Sequence, residues 1–201
     1  MYKTSILLFI LTFLGCYSND EVERILELEK VIEPYEKGNF KKSLENGLEY
    51  TKKYPKEAMG FHMVSSSYLA LNKDSLAWLY TDTTLTLNPK NHVALTNRGI
   101  ILDKKGQYEK AENYYKKSLK IKPDLAQTYS NYAGNRFYVK EYDKAIGLCE
   151  KAIELANSTS DKGVLCALYH KVGAVRKRDS LFEELEKLNY KNLEKLKEVI
   201  E

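Results

Sequence analysis

Histidine and cysteine are the side chains best suited to hold a metal or attack a substrate. This chain has three of each: His62, His92 and His170, and Cys16, Cys149 and Cys166. A metal site legible in sequence needs ligands at short, regular spacings, and none of these histidines has a partner at such a spacing. There is also no nucleophile elbow, no glycine-rich phosphate loop and no paired-cysteine motif. The reading is a non-enzyme with no metal and no cofactor. The alternative is an enzyme whose site is assembled from side chains on distant elements.

The elements that would position these residues are helices. Charged residues are 30% of the 201-residue chain and hydrophobic residues 43%, with only 4 prolines, which suits solvated helices around an apolar interior. The formal net charge is +4, from 32 basic against 28 acidic side chains. That balance gives no electrostatic footprint for nucleic acid. The 16 tyrosines are what a repeat with fixed aromatic columns would require.

The N-terminus reads MYKTSILLFILTFLGC. Lys3 and the amino group precede an apolar run, Ile6 to Leu14, that only Thr12 interrupts. The run is shorter than the ~20 residues a membrane-spanning helix needs and has the form of an export signal. Its end, FLGC, resembles the lipobox of bacterial lipoproteins. That resemblance implies a signal peptide over residues 1–15, lipidation of Cys16 and a tether over 16–23. Several acyl chains on one cysteine would hold the protein at a membrane, where one chain alone binds marginally. Asp20, Glu21 and Glu23 resemble the acidic tether that routes some lipoproteins to the cell surface; a plain solvated linker is the other reading. Secretion with a free thiol, or an uncleaved anchor, is the alternative to lipidation.

Further along, two lines run in parallel: GNFKKSLENGLEYTKKYP from Gly38 and GQYEKAENYYKKSLKIKP from Gly106. Pro55, Pro89 and Pro123 stand 34 residues apart, and Asn157 another 34 on. Ser43, Ala77, Ala111 and Ala145 form a second column at that period, and Ser65, Gly99 and Ala133 a third. Phe61, Leu95 and Tyr129 form a bulky column; Phe40, Tyr108 and Tyr142 form an aromatic one. Small residues allow two antiparallel helices to approach where they cross, so Gly99 is expected against Ala111 and Ala133 against Ala145. Glycines close first helices in a left-handed conformation, and prolines follow second helices. Pro34, inside LEKVIEPYEKG, predicts that the first helix ends early or kinks.

The period and columns resemble the tetratricopeptide repeat family: four units over residues 24–157, most clearly at 92–125. The resemblance implies an all-α fold, a right-handed α-α superhelix of about four to five hairpins with a C-terminal capping helix. It further implies that first helices line a concave groove, faced by His62, Ser66 and Leu69, then Thr96, Asn97, Ile100 and Asp103, then Gln127, Ser130, Asn131, Phe137 and Tyr138. Asn97 and Asn131 fall in the column whose amides bond a bound peptide backbone; tying adjacent helices together is the alternative role. His62, Thr96 and Ser130 stand where carboxylate-clamping members of the family place lysine, so that mode of binding is not expected.

Beyond Asn157 the period fades. Residues 158–201 are read as a degenerate fifth hairpin and a long C-terminal helix, with AVRKRD a loop and Ser180 and Glu183 at capping-box spacing. Leu181, Leu185, Leu188, Leu193, Leu196 and Ile200 give that helix an apolar stripe, either to cover the last repeat or to form a homodimer through 180–201. Cys149 and Cys166 are read as buried apolar side chains or a disulfide, which needs Cα atoms within ~7 Å. Lys171, Arg176, Lys177 and Arg178 are a solvated loop or a contact for anionic groups. The function implied is a non-catalytic interaction scaffold, a lipid-anchored lipoprotein at the bacterial outer membrane on its periplasmic side or at the cell surface. It would recruit a protein or peptide segment of an envelope assembly, with no nucleic-acid partner. The alternative is a chaperone or assembly subunit for an exported protein, pilus or outer-membrane complex.

Overall fold

A computed structural model describes residues 18–200. The export signal and Cys16 lie outside the described residues. The chain divides into two compact units, Met1–Pro89 and Lys90–Glu201. All regular structure among the described residues is α-helical. The first unit holds α1 (Asn19–Glu36), α2 (Phe40–Lys53), α3 (Ala58–Ala70) and α4 (Asp74–Leu87). The second holds α5 (His92–Lys104), α6 (Tyr108–Ile121), α7 (Ala126–Tyr138), α8 (Tyr142–Ala156), α9 (Thr159–Lys171), α10 (Val175–Lys187) and α11 (Leu193–Ile200). Consecutive helices pack against one another from α1 to α4 and from α5 to α10, and α11 packs against α9.

The turn inside each hairpin is built one way five times. Gly38, Asn72, Gly106, Lys140 and Gly173 all take positive φ, between 56° and 74°. The next residue donates its N–H five positions back: Asn39 to Pro34, Lys73 to Tyr68, Gln107 to Leu102, Glu141 to Arg136 and Ala174 to Tyr169, at 2.8–3.0 Å. This is the Schellman closure, which satisfies helix-end carbonyls. The turn positions therefore repeat at 34, 34, 34 and then 33 residues. The fifth hairpin is the same unit with one residue missing, and that deletion is why the period fades beyond Asn157. Lys140 has a β-carbon in a conformation that disfavours one by ~1–2 kcal/mol. Glycine's extra unfolded-state freedom would offset part of any gain. Lys140→Gly is therefore expected to stabilise the protein by about 0.5–1 kcal/mol in urea melts.

Three sequence expectations change in detail. The first helix neither starts after the expected tether nor stops short at Pro34. It begins at Asn19, where Ser18 and Glu21 form a reciprocal capping box, and Glu23 pairs with Lys53 at 2.6 Å. It then runs through Pro34 to Glu36. The proline removes the N–H that the Lys30 carbonyl would have accepted, and Asn46 Nδ2 on α2 donates to that carbonyl instead, at 2.7 Å. Near the C-terminus, AVRKRD is not a loop: α10 starts at Val175, and Asn189 (φ 50°) separates it from α11. The expected long helix from 180 is thus two helices. Most of its apolar residues turn inward, while Leu188 stays exposed. Leu185 and Leu196 are buried with Cys166, and Leu181, Phe182, Tyr190, Leu193 and Ile200 pack around them. Tyr190 also fills the open side of Gly163, where a β-carbon would sit 2.6 Å from its hydroxyl. The C-terminal segment covers α9.

Gly99, Ala111, Ala133 and Ala145 are all buried. The partner of Gly99 is not simply a small residue, however. A β-carbon there would lie 2.5 Å from Tyr115 Cε1, so the glycine makes room for a ring. Cys149 and Cys166 are buried free thiols in separate clusters. Burial pushes the Cys149 thiol up to about 12, with Asp161 and Glu150 adding to the effect.

Candidate functional site

The first helices carry the residues assigned to the groove, and the units hold them separately. In the first unit His62 and Ser66 are buried on α3, Ser66 hydrogen-bonds the Tyr35 hydroxyl, and Leu69 is half-buried. In the second unit the assigned side chains fall into two groups.

One group holds helices together. Thr96 is buried, with its hydroxyl within hydrogen-bonding distance of Ser118 Oγ (2.9 Å) and Thr128 Oγ1 (2.8 Å). It joins α5 to α6 and α7. Asp103 accepts from the Tyr115 hydroxyl at 2.6 Å and from Asn135 Nδ2. Burial pushes its carboxyl above the usual range, against those two bonds and Arg136. Phe137 packs into the cluster of Ala133, Ala145, Cys149, Leu165, Leu168 and Tyr169. Ser130 donates to its own helix, at the Ala126 carbonyl. Thr96, Asp103 and Phe137 are thus committed to the repeat core. Their columns gave no sign of this, because the same position can face a ligand in one repeat and a neighbouring helix in another.

The remaining assigned residues lie on α5 and α7. Asn97 is buried and Ile100 half-buried on α5. On α7, Gln127 is exposed and donates to Asn131 Oδ1 at 3.4 Å. Asn131 Nδ2 is itself buried, yet has no hydrogen-bond partner among the described residues, a state that costs about 1–3 kcal/mol. One turn on, Gly134 has no atom within 4 Å of where a β-carbon would stand. One further turn on, Tyr138 is 64% exposed and lies on the Tyr108 ring, centroids 5.5 Å apart and planes at 14°. Asn131, Gly134 and Tyr138 therefore make a short strip: an unsatisfied amide, an open floor and a fixed aromatic plate. Sequence reasoning missed Gly134. Its signal was a glycine inside a helix with no turn to make, which costs about 1 kcal/mol against alanine unless it has a packing or functional reason.

Behind the strip, an ionic clasp fixes α7. Arg136 (3% exposed) pairs with Glu112 (13% exposed) at 2.9 Å and with Glu141 at 3.2 Å. Lys116 and Lys144 reach the same Glu112 carboxylate at 2.9 and 2.6 Å, and the Tyr132 hydroxyl donates to it. Arg136 Nε donates to Asn135 Oδ1 at 2.7 Å. Burial alone would push the Glu112 carboxyl up. The bonds from Lys116, Lys144 and Tyr132 and the field of Arg136 outweigh it and hold the carboxyl at about 2.

Nothing in this arrangement resembles a reaction centre. Among the described residues, no three His, Cys, Asp or Glu side chains gather as a metal site. No described helix is long and apolar enough to cross a membrane.

Comparison with known proteins agrees with this geometry. Residues 92–125, α5 and α6 with their following turn, match the tetratricopeptide repeat family model. Among solved structures, a thermophilic TPR protein of Thermus thermophilus superposes with a TM-score of 0.73 at 17% identity, covering 88% of this chain and 98% of its own. Pseudomonas aeruginosa pilF gives 0.73 at 16% identity, over 85% of this chain and 78% of its own. MamA of Desulfovibrio magneticus gives 0.66 at 17% identity, over 83% and 94%. At such identities the likeness is one of fold. The chain has an all-α fold of tandem helical hairpins, and the segment 92–125 is a tetratricopeptide repeat.

Proposed function

We propose that this protein is a non-catalytic scaffold that takes an extended segment of a partner protein along the first-helix face of its second unit. One observation carries the reading: the Asn131 amide nitrogen, buried and unsatisfied, beside the open floor at Gly134 and the exposed Tyr138 ring. A buried donor gains most from a ligand acceptor. A carbonyl of an extended backbone fits that need, and a side chain of the same segment would lie over Tyr138. The likeness to tetratricopeptide folds supports protein binding in general. The sequence pattern at Cys16 supports a lipid anchor, and with it a place at the outer membrane within an envelope assembly.

The test is site-specific photo-crosslinking from position 138 in intact cells, with the captured protein identified by mass spectrometry. Gly134→Arg should fill the floor and remove the crosslinked product while leaving helicity and melting unchanged. Asn131→Ala should weaken capture about fivefold or more, the value of one buried hydrogen bond of ~1 kcal/mol. A product that persists in Gly134→Arg would move the binding surface elsewhere. Mass spectrometry of the mature N-terminus checks Cys16 separately: an unmodified cysteine would remove the anchor from the account.

A further inference from the structure

The joint between the fourth and fifth hairpins lacks the anion that the joint before it contains. Counted from the left-handed turn, Glu112 stands six places beyond Gly106, and Ile146 six places beyond Lys140. In the earlier joint Lys144 lies over the Tyr132 ring, 5.4 Å from its centroid, and also holds the Glu112 carboxylate at 2.6 Å. Lys177, four places beyond Gly173, is the counterpart of Lys144, four beyond Lys140. It too lies over a ring, that of Tyr169, at 5.3 Å. In place of a counterpart to Glu112 there is Ile146, packed into the apolar cluster that holds Leu165 and Tyr169. Beside Lys177 lies a cavity of about 400 Å³ between α9 and α10. Leu165, Tyr169 and Leu181 give it an apolar floor, and Arg176, Lys177 and Ser180 line it from α10. Arg176 and Lys177 are exposed and make no ion pair among the described residues. The acids close by are engaged. Glu184, on the cavity wall, pairs with Lys162 at 2.8 Å, Asp179 pairs with Arg178 at 2.6 Å, and Glu150 accepts from the Tyr169 hydroxyl at 2.8 Å.

We propose that this cavity takes an acidic residue of a partner protein together with the apolar residue beside it. The partner's carboxylate stands to Lys177 and Arg176 as Glu112 stands to Lys144 and Arg136. Lys144 shows that a lysine already seated over a tyrosine ring still binds a carboxylate in this fold. The Arg176 guanidinium adds a fork that matches a carboxylate, and the Ser180 hydroxyl a further donor. The apolar neighbour covers Leu165 and Leu181, which the fold leaves open at this joint. The cavity is near the lower end of the ~300–1,000 Å³ typical of ligand sites, which suits a pair of side chains. This site is separate from the strip at Asn131, Gly134 and Tyr138 and does not rest on it.

A random peptide library displayed on phage tests this, selected in parallel on the full-length chain in detergent and on its Arg176→Gln, Lys177→Gln double variant. Helicity and melting of the variant should stay close to wild type, because both side chains are exposed. Peptides enriched on wild type and lost on the variant should carry an aspartate or glutamate next to an apolar residue. A synthetic copy of such a peptide should bind the variant at least about tenfold more weakly, as losing charge-assisted hydrogen bonds does. Asn131→Ala should leave its affinity unchanged, which separates this site from the strip on α7. No peptide that depends on the two cations, or dependent peptides without an acid, overturns the proposal. Phosphatidylglycerol vesicles that bind wild type and not the variant, with no such peptide found, also overturn it and assign the cations to lipid.

Discussion

Glu112→Ala is expected to cost about 3–5 kcal/mol, the penalty for leaving a buried cation without its counter-charge. The cation is Arg136, 3% exposed. Its other carboxylate, Glu141, is half-exposed at 3.2 Å, so it cannot replace Glu112. Lys116 and Lys144 lie nearer solvent and lose little when Glu112 goes. The loss therefore falls on the desolvated arginine and on Tyr132, whose hydroxyl loses its acceptor. Urea melts measure the total. Hydrogen exchange should show the opening centred on α6, α7 and α8, since the stability of a repeat array is a sum of neighbouring interfaces. A loss under about 1 kcal/mol would show that Arg136 is solvated in the variant and that the clasp is ornamental.

The pH dependence follows from the same group. The folded-state carboxyl of Glu112 titrates at about 2, below its ordinary 4.5. Its contribution is thus fully present above about 4.5 and is lost as pH falls toward 2. The gap between those two values corresponds to about 3 kcal/mol, in line with the expected cost of the substitution. Acid unfolding of wild type should therefore steepen between pH 4.5 and 2. Glu112→Ala should flatten that segment and leave the curve above about pH 5 parallel to wild type.

Gly99→Ala is the second large effect, at about 1–3 kcal/mol. On a helix this change ordinarily stabilises, by up to ~1 kcal/mol. Here the new methyl would stand 2.5–2.9 Å from Cε1, Cζ and Cδ1 of Tyr115. That ring cannot swing aside: it is 1% exposed, stacks on Tyr132 with centroids 5.8 Å apart, and is tethered through its hydroxyl to Asp103. A double-mutant cycle isolates the cause. Made in a Tyr115→Leu background, Gly99→Ala should cost less than about 0.5 kcal/mol or become favourable. Equal costs in both backgrounds would place the strain somewhere other than the ring.

The architecture was legible because its signals are local and recur. Small residues at crossings and prolines after second helices repeat at 34 residues, and each has a direct steric reason. The signal was weaker where one residue type stood in for another. Asn72 and Lys140 take the glycine's left-handed turn without being glycine, and one missing residue shifted Gly173 out of phase. Pro34 was read as ending or kinking the first helix because the side chain that replaces its hydrogen bond, Asn46, lies on another helix. The groove was less legible still. A repeat column states which way a side chain points relative to its own helix. It does not state whether a neighbour will claim it, and neighbours claimed Thr96 and Asp103. Asn131 and Tyr138 both lie on α7, while the open floor at Gly134 between them became visible only in three dimensions.

The hydroxyl contact among Thr96, Ser118 and Thr128 has an evolutionary consequence. Tandem duplicates invite unequal recombination, because any hairpin could in principle sit beside any other. Here a hairpin moved to a new place would lose this particular set of hydroxyl partners. Ser67, Ser43 and the Val31 carbonyl form a different polar chain in the first unit, so the two joints are not interchangeable. The order of the hairpins is thereby written into their buried polar atoms, and a shuffled gene would encode a protein that folds poorly.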